Sequence, residues 1–150
     1  MAQVEVVAAR DVAAKPDDVF DALADYEDFH RRLLPEQFTD YEVREGGDGE
    51  GTVLFFRFHA TSRRIREVLA DITEPDKDRL VETDRNSTLV TSYTVVPSEE
   101  LTGGARVTIR TTWEGAGGIG GFFERLFAPR ALQAVYQRIL ANLAAEMDKR

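Results

Sequence analysis

Few residues in this sequence are able to do chemistry, and their spacing excludes more than it assigns. Gly115, Gly117 and Gly120 spell G-x-G-x-x-G between a strand-like and a helix-like stretch, the place of a dinucleotide fingerprint. That fingerprint needs a further parallel strand after its helix, with an acidic residue about 20 positions on for the ribose. Here the sequence runs out on the helix, so the match is read as a decoy. The run Gly46-Gly47-Asp48-Gly49-Glu50-Gly51 lacks the Lys-Ser/Thr of a phosphate loop and precedes a strand, so it reads as a hairpin turn. With no cysteine, disulfides, thiolate nucleophiles and cysteine-ligated zinc are all excluded. The two histidines, His30 and His59, have no partner at metal-binding spacing and no H-E-x-x-H surrounds them, so no metal is expected.

The 19 Lys and Arg against 27 Asp and Glu give a net charge of -8, which repels phosphate backbones and argues against nucleic acid as a partner. Arg63-Arg64-Ile65-Arg66 is the one tight basic run, and alternation splits it between the two faces of a strand, as a solvated strand surface requires. The N-terminus has neither a basic n-region nor a long apolar h-region, and no apolar run approaches the ~20 residues that span a bilayer. A cytoplasmic protein without an integral membrane segment is expected. Its 150 residues suit one domain, 1–150, burying roughly 70% of the unfolded chain's surface.

The elements that must position any site follow from periodicity. Val4, Val6, Ala8 and Val12 share a strand face, and Pro16, Asp17 and Asp18 then open a short helix with Val19, Phe20 and Leu23 on its apolar side. A second short helix is predicted over Tyr26 to Leu34, stopped by Pro35. Strands are predicted over Phe38 to Glu45, Thr52 to Ala60, Arg64 to Ile72, Arg79 to Thr83, Thr88 to Val96 and Arg106 to Trp113. Their separators carry turn chemistry, Glu74-Pro75-Asp76 among them, and are too short for crossover helices, so the sheet is antiparallel. Leu89, Tyr93 and Val95, then Val107, Ile109, Thr111 and Trp113, face inward; so do Leu54, Phe56, Phe58 and Ala60, and Val68, Ala70 and Ile72. Leu132, Val135, Tyr136, Ile139, Leu143 and Met147 form the buried stripe of a long final helix. Pro129 breaks or kinks its start, after a wedge of Phe122, Phe123, Leu126 and Phe127.

The resulting order, β-α-α-β-β-β-β-β-β-α, is an α+β fold in which about seven antiparallel strands curve around the long helix while two short helices close one end. The sequence at this point resembles the START-like or SRPBCC helix-grip superfamily, most closely its bacterial polyketide cyclase/dehydrase and lipid-transport branch. The resemblance rests on Pro16-Asp17-Asp18-Val19-Phe20-Asp21-Ala22-Leu23, Gly49-Glu50-Gly51-Thr52-Val53 and Gly104-Ala105-Arg106-Val107-Thr108. Gly118-Ile119-Gly120-Gly121-Phe122-Phe123 with Leu126-Phe127-Ala128-Pro129 is its most specific part.

The resemblance implies a cavity between sheet and long helix that holds a small hydrophobic, lipid-like or polyketide-like molecule, with no cofactor. Large inward side chains agree: Phe29, Phe56, Tyr93, Trp113, Phe122, Phe123 and Tyr136, with Leu126 beside them. Thr91, Tyr93, Thr111 and the Trp113 indole could supply polar anchors. If the protein is instead an enzyme of the cyclase type, the resemblance leaves Tyr93 and His30, then Arg66 or Glu82, as acid, base or oxyanion donor. A third reading is a filled core that serves protein interaction; a homodimer is compatible but not indicated. The glycine run from Gly115 to Gly121 then becomes a hinge, and with the phenylalanine wedge a gate to the cavity.

Overall fold

A computed structural model describes residues 3–114 and 129–150. Seven strands, β1 (Gln3–Val12), β2 (Phe38–Glu45), β3 (Val53–His59), β4 (Ile65–Asp76), β5 (Arg79–Asp84), β6 (Val90–Pro97) and β7 (Ala105–Glu114), form one antiparallel sheet in the order β1-β7-β6-β5-β4-β3-β2. Between β1 and β2 lie α1 (Pro16–Ala24) and α2 (Phe29–Leu33), and α3 (Pro129–Asp148) follows the sheet. Only the β1–β7 pairing joins strands distant in sequence, running from Gln3↔Glu114 to Val12↔Ala105. Every other neighbour pair is consecutive, as separators too short for crossovers demand.

The inner face follows the period of two. Leu54, Phe56 and Phe58 of β3, Val68, Ala70 and Ile72 of β4, Tyr93 and Val95 of β6, and Val107, Ile109, Thr111 and Trp113 of β7 are all buried. Against them α3 lays Leu132, Val135, Tyr136, Ile139, Leu143 and Met147, joined by Leu140, which the expected stripe had omitted. At about 1.5 Å per residue the helix is about 30 Å long, enough to run the length of the sheet. No described helix is long and apolar enough to cross a membrane.

Two boundaries, and the burial of one side chain, differ from expectation. Glu74-Pro75-Asp76 belongs to β4 and is not a turn: pairing with β5 jumps from Thr73↔Val81 to Asp76↔Arg79, and Pro75, with no N–H to give, sits in that irregularity. The second helix is shorter than expected, since Tyr26 lies in the link before it. Phe20, expected on the apolar side of α1, is only half-buried, while Val19, Ala22, Leu23 and Ala24 are buried. The break expected at Pro129 concerns the preceding residues, outside the described ones; the described helix runs from Pro129 to Asp148.

The Gly46 to Gly51 run is a hairpin connection, as expected, and it also ties two layers together. Gly47 O accepts from Tyr26 N at 2.9 Å, and Gly49 N donates to Ala24 O at 2.9 Å. On its other side Gly51 N donates to Ile72 O at 3.0 Å, and Glu50 and Glu74 exchange backbone-to-carboxylate hydrogen bonds at 2.9 and 2.8 Å. The loop therefore fixes the link between α1 and α2 over the sheet, and Tyr26 with it.

Candidate functional site

Strand β5 puts a carboxyl where a core residue belongs. Leu80, Glu82 and Asp84 alternate, so burying Leu80 forces both acids to the inner face. Asp84 is absorbed structurally: it accepts from Leu69 N, Asn86 N and the Ser87 hydroxyl, and Arg66 Nη2 stands 3.8 Å away. Glu82 is 8% exposed. The Tyr26 hydroxyl donates to its Oε2 at 2.9 Å, and His30 Nε2 lies 3.6 Å from the same oxygen.

His30 is held by both neighbours and backbone. Its ring stacks on Tyr26 with centroids 4.2 Å apart and meets Tyr93 edge-on at 5.1 Å. Nδ1 is 2.9 Å from Leu23 O, and because a carbonyl only accepts, Nδ1 carries the proton and the neutral ring turns the Nε2 lone pair to Glu82. Burial dominates both groups. It pushes the Glu82 carboxyl up to about 7, opposed by the Tyr26 hydrogen bond, and brings His30 down to about 4, opposed by the Leu23 carbonyl and Asp25. The 3.6 Å spacing would suit an ion pair, yet wherever Glu82 is ionised His30 is neutral. Burial decides, because neither group has enough solvent or charge to offset the loss of hydration.

A second polar group lies on the sheet beneath α3. The Thr91 and Thr111 hydroxyls are 2.8 Å apart, and Thr111 Oγ1 also hydrogen-bonds the Tyr136 hydroxyl. Register explains the meeting, since Thr91 and Thr111 are cross-strand partners. Burial raises the Tyr136 phenol to about 12, and burial together with the Glu82 charge raises those of Tyr26 and Tyr93 well above the usual value. Tyr136→Phe removes one partner of a buried three-hydroxyl set and is expected to cost about 1 kcal/mol. Urea denaturation checks this, and a neutral result would remove the hydroxyl set from the stabilising contacts.

Between these two groups is a cavity of about 40 Å³. Phe38, Phe56, Phe58, Val68, Leu89 and Leu132 make its apolar wall, and Glu82, Thr91, Tyr93 and Tyr136 its polar side. Phe38 meets Phe56 and Phe58 at centroid distances of 5.3 and 5.0 Å. At ~10–15 Å³ per water the space admits a few water molecules.

Among the expected residues, Phe56, Thr91, Tyr93 and Tyr136 line this cavity, Thr111 reaches it through Thr91 and Tyr136, and His30 stands behind Glu82 and Tyr93. Phe29 and Trp113 are fully buried in the same core without lining the cavity. Phe122, Phe123 and Leu126, and with them the hinge and gate expected at Gly117 and Gly120, lie outside the described residues. Arg66 sits apart, donating to Asn86 O and facing Asp84, while Arg63, Arg64 and Ile65 are exposed as a solvated strand surface requires. From sequence, Glu82 is only a secondary candidate and Tyr26 has no chemical role. The alternation of Leu80, Glu82 and Asp84 carried the signal for the first; the contact of Tyr26, 56 positions away, had none. Among the described residues no cluster of three potential metal ligands occurs.

Comparison with known proteins adds the family. The family model described as polyketide cyclase / dehydrase and lipid transport matches residues 3–148. The chain is similar to the KanY protein, whose solution structure shares 37% identity over 99% of both chains with a TM-score of 0.87. It is also similar to a protein of Thermus thermophilus, TTHA0849, 20% identical over 95% of each chain with a TM-score of 0.72. A START superfamily protein from Mycobacterium smegmatis, 9% identical over 97% of each chain with a TM-score of 0.70, shares the fold. No curated protein matches the sequence. A family match over residues 3–148, beside a relative 37% identical over 99% of both chains, shows that the chain belongs to the polyketide cyclase / dehydrase and lipid transport family.

Proposed function

We propose that residues 1–150 act as one START-like domain that binds a small hydrophobic molecule between the sheet and α3, carrying or sensing it without transforming it. The observation that carries this reading is an apolar cavity bordered on one side by a buried carboxyl and three hydroxyls. Ligand sites have this make-up, a greasy wall with a few polar groups that orient the guest. A cavity of about 40 Å³ is far below the ~300 Å³ that drug-sized ligands occupy, so binding entails widening. The half-buried Phe38, edge-on to Phe58 and tilted against Phe56, is the wall residue that turns outward at least cost.

Delipidated protein titrated with a panel of fatty acids, flat polyphenols and polyaromatic ketones is expected to melt higher with at least one member. At ten times Kd the gain is about 1.4 kcal/mol. No shift across the panel would favour the filled core with a protein partner.

One observation favours a second reading. A carboxyl near half-protonation at neutrality suits a general acid and base, as a cyclase or dehydrase acting on a polyketide-like substrate needs. Turnover of such a substrate, lost in Glu82→Gln with the fold intact, would establish it.

A further inference from the structure

Resting on the binding function above, the geometry points to a definite class of guest: we infer that the cavity selects a hydrophobic molecule whose polar end donates a hydrogen bond or carries a positive charge, received by Glu82, and discriminates against carboxylate heads. Three observations converge. Among the described residues Tyr26 and His30 both approach Glu82 at Oε2, leaving Oε1 without a partner there while the side chain lines the cavity. No Lys or Arg lines the cavity among the described residues, so nothing there neutralises an incoming anion. The hydroxyls of Thr91, Thr111 and Tyr136 are bonded to one another and the Tyr93 phenol stays neutral, so among the described lining residues the one acceptor that can carry negative charge is Glu82.

An acceptor with no protein partner in a confined, largely apolar pocket rewards a donor and penalises an isostere that cannot give one, because that isostere displaces water from the carboxylate without replacing its hydrogen bond. An anionic head brings like charge against the carboxylate at close range in a low dielectric.

The groups facing Glu82 make the pH dependence simple. Tyr26 comes from the α1–α2 link, His30 from α2, Tyr41 from β2, Tyr93 from β6 and Tyr136 from α3; burial raises the four phenols and lowers His30 to about 4. Between about pH 6 and about pH 8 Glu82 alone among them changes charge. A donor guest favours the ionised carboxyl, so its affinity rises with pH through about 7 and then levels.

The test uses one apolar frame with four heads: 2-naphthol, 1-naphthylmethylamine, 2-acetonaphthone and 2-naphthoate, titrated calorimetrically into the delipidated full chain. At about pH 8 the naphthol and the amine are expected to bind at least about tenfold tighter than the naphthoate, a difference of about 1.4 kcal/mol. The ketone should fall between them. Affinity for the naphthol and the amine should drop several-fold at about pH 6, and Glu82→Gln should flatten that dependence. Should Glu82→Gln fail to fold, proton release on binding near pH 7, read from two buffers of different ionisation heat, reports the same event in the unaltered protein. Naphthoate binding as tightly as naphthol, or a pH dependence that survives Glu82→Gln, would overturn the selectivity while leaving the binding function standing. Binding of none of the four would remove both.

Discussion

Replacing His30 by glutamine is expected to make the protein lose about 3 kcal/mol of stability as pH rises from about 4.5 to about 7, whereas Glu82→Gln is expected to lose about 3 kcal/mol as pH falls from about 6.5 to about 4. The unaltered protein should show little of either slope. The signs follow from where the protons are. Glu82 ordinarily titrates at 4.5 and in the folded protein at about 7, so its neutral form is stabilising up to 4.5 and the benefit is lost as pH climbs through 7. His30 ordinarily titrates at 6.5 and when folded at about 4, so its contribution is complete above 6.5 and is lost as pH falls towards 4. In the shared window the unfolded chain holds one proton on His30 and the folded chain one on Glu82. Proton uptake on folding is therefore close to zero from this pair, and the two slopes cancel until one residue is removed. At about pH 8 Glu82→Gln should also be the more stable protein, since it no longer buries a charge. Urea unfolding from about pH 4 to about pH 8 measures all three proteins. A bell-shaped difference centred on one pH, in place of opposed slopes, would mean that the two side chains form an ion pair.

Gly46→Ala is expected to destabilise by about 3 kcal/mol, against roughly 1–2 kcal/mol for Gly51→Ala a few residues on. Both glycines have positive φ, +69° and +90°, which an alanine adopts at a cost of roughly 1–2 kcal/mol. Only at Gly46 would the new methyl also strike backbone, 2.9 Å from Thr52 Cα and 3.0 Å from Gly51 O; at Gly51 it meets nothing within 4 Å. Because Tyr26 N is bonded to Gly47 O, displacing this loop should also move Tyr26 off Glu82. The Glu82 titration should then shift upward in Gly46→Ala and not in Gly51→Ala, since the lost hydrogen bond is the contact that holds it down. Equal destabilisation in the two variants would show that backbone conformation alone matters at these positions.

The fold was legible in the sequence where period and punctuation agreed. β6 and β7 alternate cleanly, so Tyr93, Thr111 and Trp113 were placed inward correctly, and the stripe of α3 gave Tyr136. Pro75 misled because proline usually ends a strand, but here it occupies an irregular step in the ladder where no N–H is needed. The polar half of the cavity was legible only in part. Thr91 and Tyr93 lie on an inward face that the pattern reveals, and Glu82 obeys the same rule, though a charged residue in a strand ordinarily argues for solvent. Tyr26 could not be found this way. Its place over Glu82 depends on a glycine loop that docks the α1–α2 link from further along the chain, and no local pattern encodes that contact.

The most direct test is methyl NMR of the delipidated protein titrated with 2-naphthol. The methyl signals of Val68, Leu89 and Leu132, which line the cavity, should move together and saturate, while those of the exposed Val7, Ile65 and Leu101 stay in place. Movement confined to the exposed set, or saturation with no change at the cavity methyls, would contradict binding between the sheet and α3.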